Sequence, residues 1–202
     1  MTPHHDERIA AALGECGWIA VDSYLEQDLC RELALDARAL DAAGRMRPAG
    51  IGGAAGTPVA FDPRVRGDRI LWLDPSRASP AEAAYLARME DLRLALNRTL
   101  FLGLFEFECH YACYPPGAGY ERHLDRHRGS GARTVSTIAY LNPHWSPEDG
   151  GALRLHPPGG GHADIAPNAG TLAVMLSDRI EHEVLAARRA RWSITGWFRR
   201  RA

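Results

Sequence analysis

Gly119-Tyr120-Glu121-Arg122-His123-Leu124-Asp125 closes on a histidine and an aspartate two residues apart. Alternate residues of a strand project from the same face, so a strand here lets His123 and Asp125 reach one metal ion together. Downstream, Asp178-Arg179-Ile180-Glu181-His182-Glu183-Val184 offers His182 as a third donor, and Arg191 follows at hairpin distance. Two imidazoles and a carboxylate fill one face of an octahedron and leave the opposite positions open. A histidine-x-aspartate triplet alone carries little, because such triplets arise by chance. Four matched positions carry a good deal.

Outward from this stretch, the second half of the chain reads as almost entirely β. Short strands are expected over 105–114, 120–125, 134–141, 152–156, 171–176, 181–185 and 191–198. Pro115-Pro116-Gly117, Asn142-Pro143, Gly150-Gly151 and Gly159-Gly160-Gly161 punctuate them. Short strands with turns at this spacing predict a sandwich or jelly roll. The first hundred residues are mixed. Gly17 to Asp22 reads as a short strand, and Ser23 with Glu26 has the spacing of a capping box. The helix expected there buries Leu25, Leu29, Leu33 and Leu40 and stops before Gly44. Ser79 as N-cap, Pro80 at the first helical position and Glu82 two further on predict a second helix over about 80–100. It turns Leu86, Met89, Leu96 and Leu100 inward. Between the helices, Arg47 to Asp68 is rich in Gly, Ala and Pro, and so long a loop in a compact domain is usually functional. The expected fold is therefore mainly β with N-terminal helices (α+β). Its core is a double-stranded β-helix, or jelly roll, over about 104–198, with helical support over about 23–100 packed on one sheet. No Gly-x-Gly-x-x-Gly separates a strand from a helix, which removes a Rossmann reading.

Composition narrows the function classes. The 202 residues suffice for one domain, expected over 1–202, and are too few for two of ordinary size. With 46% hydrophobic and 24% charged residues, the chain has no apolar run long enough to span a bilayer. Its start, MTPHHDERIA, lacks the basic and apolar blocks of a secretory signal. A net charge of −1 supplies no field to draw in nucleic acid or a membrane. All 24 basic residues are Arg, which reads as the base composition of a GC-rich genome, and Arg199-Arg200-Arg201 reads as a solvated tail. The four cysteines, Cys16, Cys30, Cys109 and Cys113, have no metal-site spacing. They are expected to stay reduced in the cytoplasm. On oligomeric state the sequence is silent.

The donor set itself points to non-haem Fe(II) chemistry with dioxygen. Two neutral imidazoles and one carboxylate leave a positive charge on the ion, which attracts an anionic 2-oxo acid. Arg191 opens the last apolar strand and shares a face with Ser193, Thr195 and Trp197. Its planar guanidinium suits two-point recognition of a carboxylate. Tyr140, in the strand 134–141, brings a phenol to the same anion. Singly, each residue also reads as a core histidine, a solvent-facing arginine or a half-buried tyrosine.

Seven ordered blocks carry a wider likeness. They are Val65-Arg66-Gly67-Asp68-Arg69-Ile70-Leu71-Trp72, Cys113-Tyr114-Pro115, Gly119 to Asp125, Ile138-Ala139-Tyr140-Leu141-Asn142, Gly150-Gly151-Ala152-Leu153-Arg154, Asp178 to Val184, and Arg191 to Trp197. Over about residues 17–198 the chain resembles the Fe(II)/2-oxoglutarate-dependent prolyl hydroxylases of the oxygen-sensing EGL-nine (SM-20-like) type.

The resemblance implies iron ligation by His123, Asp125 and His182, with Arg191 completing the catalytic set. It implies 2-oxoglutarate held at its far carboxylate by Arg191 and Tyr140, with Tyr114 near the chelating end. Thr195, Ile138, Leu153, Val184 and Trp197 match positions around that cosubstrate. Arg66, Asp68, Trp72 and Arg133 match the substrate side, where Asp68 and Arg133 are expected to pair, and the loop 47–65 matches a segment that closes over a peptide. The implied reaction couples oxidative decarboxylation of 2-oxoglutarate by O2, giving succinate and CO2, to hydroxylation of a prolyl residue in a protein, with ascorbate in support. The stretch between Tyr114 and His123 is one residue shorter than in the animal enzymes. The chain ends four residues after Phe198, without the C-terminal helix of the larger animal relatives, and a bacterial origin is expected. By family analogy the target is a translation factor such as elongation factor Tu. Two other functions fit the same residues: a 2-oxoglutarate oxygenase acting on a free amino acid or small metabolite, and a non-catalytic metal-binding jelly-roll module. A nucleic-acid demethylase is disfavoured by the near-neutral charge.

Overall fold

The computed structural model of the chain describes residues 3–51, 61–125 and 133–201. Helix α1 (Pro3–Glu15) leads into strand β1 (Trp18–Val21), helix α2 (Gln27–Ala42) and the short strands β2 (Arg47–Pro48) and β3 (Arg69–Trp72). Helix α3 (Pro80–Leu100) precedes β4 (Leu104–Tyr114), β5 (Tyr120–His123), β6 (Arg133–Tyr140) and β7 (Leu153–His156). Then come β8 (Ala163–Ile165), β9 (Leu172–Leu176), β10 (Glu181–Val184) and β11 (Arg191–Arg200).

From β4 onward the chain builds two four-stranded layers, β9-β6-β11-β4 and β5-β10-β7-β8. Pairing between the strands is antiparallel throughout, which is the expected jelly roll. The first layer is extended by β1 at one edge and by β3 and β2 at the other, giving seven strands. Strand alternation gives each face of β11 a separate task. Trp192, Ile194 and Phe198 join the core beneath the helices, together with Leu33, Met89, Leu92 and Leu96. Burying a leucine-sized side chain there stabilises by about 1.5–3 kcal/mol. Arg191, Thr195 and Trp197, on the opposite face, line a cavity between the layers.

Helix α3 starts as its sequence dictates. The Ser79 hydroxyl accepts from the Glu82 N–H at 3.2 Å, and the Glu82 carboxylate accepts from the Ser79 N–H at 2.8 Å, with Pro80 opening the first turn. The Ser23–Glu26 capping box does not form. Ser23 adopts a left-handed φ of 54°, and α2 begins only at Gln27, with Glu26 as an N-cap that makes no side-chain cap bond. Tertiary bonding overrides the local signal: the Leu25 N–H donates to the Gly170 carbonyl at 3.1 Å, which ties this segment to the turn before β9. Helix α1 was not expected, although Ile9, Ala10 and Leu13 form its buried stripe. Arg88 of α3 anchors it through Asp6, with guanidinium bonds of 3.0 and 2.5 Å. Strands β2, β3 and β8 were not expected either. Residues 52–60 of the expected loop 47–65 lie outside the described residues. The four cysteines are free thiols, as expected. Among the described residues, no helix is long and apolar enough to cross a membrane.

Gly196 sits at the tightest point of the helix-side core. A Cβ there would lie 2.4 Å from Phe107 Cζ and 2.9 Å from the Cys109 Cβ. The Phe107 ring is itself packed on Phe198, with centroids 4.7 Å apart. Overpacking of this kind costs about 1–3 kcal/mol. Gly196→Ala is therefore expected to lower the unfolding free energy by that amount, read as a lower urea midpoint at an unchanged m-value. An unchanged midpoint would show that Phe107 swings aside freely.

Candidate active site

The local geometry of β5 departs from a regular strand. His123 pairs with His182, and Tyr120 pairs with Val184, so three steps along β5 face two along β10. This is a β-bulge, a device that re-aims side chains. β5 ends at His123, and Asp125 lies in a bend beyond it. Strand alternation thus named the right pair, but the chain leaves the strand before it reaches the aspartate.

The three donors still converge. His123 Nε2 lies 3.6 Å from Asp125 Oδ1, and His182 Nε2 lies 3.6 Å from Asp125 Oδ2. All three donor atoms fall within 4.8 Å of one another. His123 Nδ1 is bonded to the Glu121 carbonyl at 2.7 Å, and His182 Nδ1 to the Ile180 carbonyl at 3.1 Å. A carbonyl only accepts, so each ring carries its hydrogen on Nδ1 and turns a bare Nε2 to the centre. Asp125 is 8% exposed, and its Oδ2 has no hydrogen-bond partner among the described residues. Burial alone would raise this carboxyl, but the neighbouring His182 and His123 outweigh it and hold the group below the usual carboxylate range. Burial pushes the His182 imidazole down, against the pull of Asp125. A metal ion requires an ionised carboxylate and neutral imidazoles, and both shifts run that way.

Beside the triad lies a cavity of about 250 Å³. Arg191 enters it from β11 with only 1% of its surface exposed. Its Nε donates to the Gly151 carbonyl at 2.8 Å, while Nη2 has no partner among the described residues. A buried guanidinium without a counter-charge costs several kcal/mol, so the pocket around it suits an anion. The Tyr140 and Ser193 hydroxyls are also buried without a partner among the described residues. The Tyr140 ring centre lies 5.0 Å from the guanidinium carbon, and the Tyr114 ring lies at 5.3 Å. Burial pushes the Tyr140 phenol up to about 12, with Arg191 opposing, so the phenol keeps its proton and donates. Gly151 makes room for the arrangement, with φ at 70°. A Cβ on it would meet the Ala187 Cβ at 2.7 Å and Arg191 Cδ at 3.4 Å. Tyr114, Ile138, Leu153, Val184, Thr195 and Trp197 line the cavity.

Toward the mouth, Arg66, Asp68, Trp72 and Arg133 are all present, but the ion pair differs from expectation. Asp68 does not pair with Arg133. Arg66, on the same extended segment, holds both Asp68 oxygens at 2.7 and 3.0 Å. Arg133 bonds Glu108 at 2.9 Å and lies 3.6 Å above the Trp197 ring. Trp72 forms the outer rim, 47% exposed. Five lining residues were missed, Gly50, Ile70, His110, Tyr120 and Leu124, and two of them bear on the site. His110 sits edge-on to Trp72 at 4.9 Å, and burial, reinforced by Arg66, lowers its pKa to about 4. Counting back in twos from Tyr114 along β4 would have found it. Tyr120 lies flat on the His123 ring, 3.7 Å between centroids with 20° between planes. Strand alternation would have put those two on opposite faces.

Comparison with known proteins gives the family. Residues 109–199 match the family model of the 2OG-Fe(II) oxygenase superfamily. A crystal structure of a Pseudomonas putida prolyl-4-hydroxylase is 47% identical, with a TM-score of 0.88, covering 98% of this chain and 100% of that one. A Trichoplax adhaerens prolyl hydroxylase, solved with a peptide fragment of the hypoxia-inducible factor oxygen degradation domain, is 27% identical. Its TM-score is 0.86, over 97% of this chain and 89% of that one. The hypoxia-inducible factor prolyl hydroxylase of Caenorhabditis elegans is 29% identical over 201 residues, which is 95% of this chain but 28% of that protein's length. The match to the Pseudomonas structure runs the length of both chains and spans the His123–Asp125–His182 cluster and Arg191. The chain therefore belongs to the 2OG-Fe(II) oxygenase superfamily, as a prolyl-hydroxylase-like member.

Proposed function

We propose that this chain is an Fe(II)- and 2-oxoglutarate-dependent dioxygenase that hydroxylates a prolyl residue in a protein substrate. It acts as one domain over residues 1–202, in the reducing cytoplasm that its free thiols suit. The observation that carries this is the pairing, around one cavity, of a ligand-ready His123–Asp125–His182 triad with the unpartnered Arg191 guanidinium. The orphaned Asp125 oxygen fits a divalent ion, and the orphaned Arg191, Tyr140 and Ser193 atoms fit a carboxylate.

When bound, iron and 2-oxoglutarate supply the oxidation by O2, with succinate and CO2 as co-products and ascorbate in support. The residues do the rest. His123, Asp125 and His182 hold the ion on one side and leave its other positions free. Arg191 and the protonated Tyr140 donate to the far carboxylate and fix its direction. Tyr114 lies toward the chelating end, and Thr195, Ile138, Leu153, Val184 and Trp197 wall out water. Arg66, Asp68, Trp72 and Arg133 form the substrate side. The exposed Trp72 rim suits an extended peptide, and the Trichoplax relative, solved with a peptide, supports that class. A translation factor such as elongation factor Tu is the first target to test.

Purified protein with Fe(II), 2-oxoglutarate and O2 should release succinate and add 16 Da to a proline-bearing peptide of a lysate protein, against an Arg191→Ala control. Succinate without a protein shift would replace the protein substrate with a small molecule. Absence of both from folded, iron-loaded protein would leave a binding module.

Two variants should separate the ligand roles. Arg191→Lys keeps the charge but loses the planar fork, and should raise the KM for 2-oxoglutarate by about tenfold or more with metal affinity retained. His182→Ala should abolish metal binding and turnover while far-UV circular dichroism stays native. An unfolded His182→Ala protein, together with a parent that unfolds when its metal is removed, would instead indicate a structural ion.

A further inference from the structure

Of the three donors, His123 is the least enclosed, its side chain 18% exposed against 6% for His182 and 8% for Asp125. It is also the last residue of its strand. Its ring plane therefore needs support from a neighbouring side chain, and the first residue of β5 supplies it. The β5 bulge brings Tyr120 round to the same side, where the phenol ring lies flat on the imidazole at 3.7 Å. Tyr120 is held in turn. The Arg66 guanidinium carbon lies 4.8 Å from the centre of the phenol ring. Residues 65–67 run along β5 as a short extra strand: Arg66 bridges Tyr120, the Gly67 N–H donates to the Gly119 carbonyl at 2.9 Å, and the Glu121 N–H donates to the Val65 carbonyl at 2.9 Å. Arg66 is locked by both oxygens of the buried Asp68 and reaches the Gly50 carbonyl at 3.4 Å.

We infer that Arg66 and Tyr120 are positioning residues that hold the His123 imidazole in its metal-binding orientation, and so couple the substrate side of the cavity to the metal. The inference rests on the proposed metal role of His123. Asp68 fixes Arg66, Arg66 fixes Tyr120, and Tyr120 fixes the plane of His123, while the Glu121 carbonyl fixes its rotation about that plane. No member but His123 touches the ion. Support of this kind typically contributes about 10–100-fold to metal affinity. Because coupling of binding free energies is reciprocal, a peptide that engages Arg66 or Asp68 should also change metal affinity.

Calorimetric titration of the metal-free protein with Co(II), a redox-stable probe, reads the relay without turnover. Tyr120→Leu should weaken Co(II) binding by about 10–100-fold, while Tyr120→Phe, which keeps the ring, should bind as the parent does. Arg66→Met, which leaves the phenol in place, should fall between them and alter the Co(II) visible spectrum. Parent-like affinity in a folded Tyr120→Leu protein would overturn the relay, and so would equal loss in the Phe and Leu variants. Should Tyr120→Leu fail to fold, Arg66→Met decides: weaker binding supports the relay and parent-like binding overturns it. Asp125→Ala is the separate control for the site itself. If it binds Co(II) as well as the parent, the metal reading fails, and the relay with it.

Discussion

Two buried charges that do not meet organise this protein. Asp125 hangs from the layer that contains β5 and β10, and Arg191 projects from β11 in the other layer. Each keeps an atom without a hydrogen-bond partner among the described residues. Left alone, each would cost several kcal/mol in an apolar interior. A jelly roll can hold them apart because its layers are rigid and hydrogen-bonded edge to edge, so neither side chain can move to neutralise the other. The core between α1, α2, α3 and the larger layer offsets the cost with apolar burial on the far face of the same strands. β11 thus carries packing on one face and chemistry on the other, and the period of two keeps the tasks separate.

Close backbone approach does the local placement. A Cβ on Gly119 would lie 2.6 Å from the Val184 carbonyl, so only glycine lets the chain enter β5 against β10. Gly151, at positive φ, brings its carbonyl to the Arg191 Nε. A Cβ at Gly119 would part β5 from β10 within the smaller layer, and one at Gly151 would press on Ala187 and the Arg191 side chain. The Gly150-Gly151 turn, first read as punctuation, therefore also positions Arg191.

Much of this was legible because it depends on short-range rules. The α3 capping box, the alternation of β11 and the order His123, Asp125, His182, Arg191 follow from spacing alone. What failed involved long-range competition. Ser23 has a capping partner three residues on, yet a backbone bond from Leu25 to Gly170 decides its conformation. Asp68 takes Arg66, its neighbour on an extended segment, and Arg133 is drawn instead to Glu108 and the face of Trp197. The stack of Tyr120 on His123 was invisible because a bulge has no residue signature in this stretch, and it reverses the face that alternation assigns. His110 was legible in principle, since it keeps the register of Tyr114.

The charge layout also explains, on the proposed function, why one kind of cosubstrate fits. Two neutral imidazoles and one carboxylate leave a divalent ion with a net positive charge, and Arg191 supplies a second. The cavity of about 250 Å³ thus has a cation at the metal and a cation on the β11 wall, with apolar side chains from both layers between them. An elongated dianion satisfies both. A monocarboxylate would leave either the ion or the guanidinium uncompensated, at a cost that burial magnifies. Arg133, a third cation near the mouth, is already bound to Glu108, and Arg66 is bound to Asp68. The mouth is therefore close to neutral, so an anion gains most by moving past it, and on the proposed function a peptide would dock there through shape and aromatic surface rather than charge.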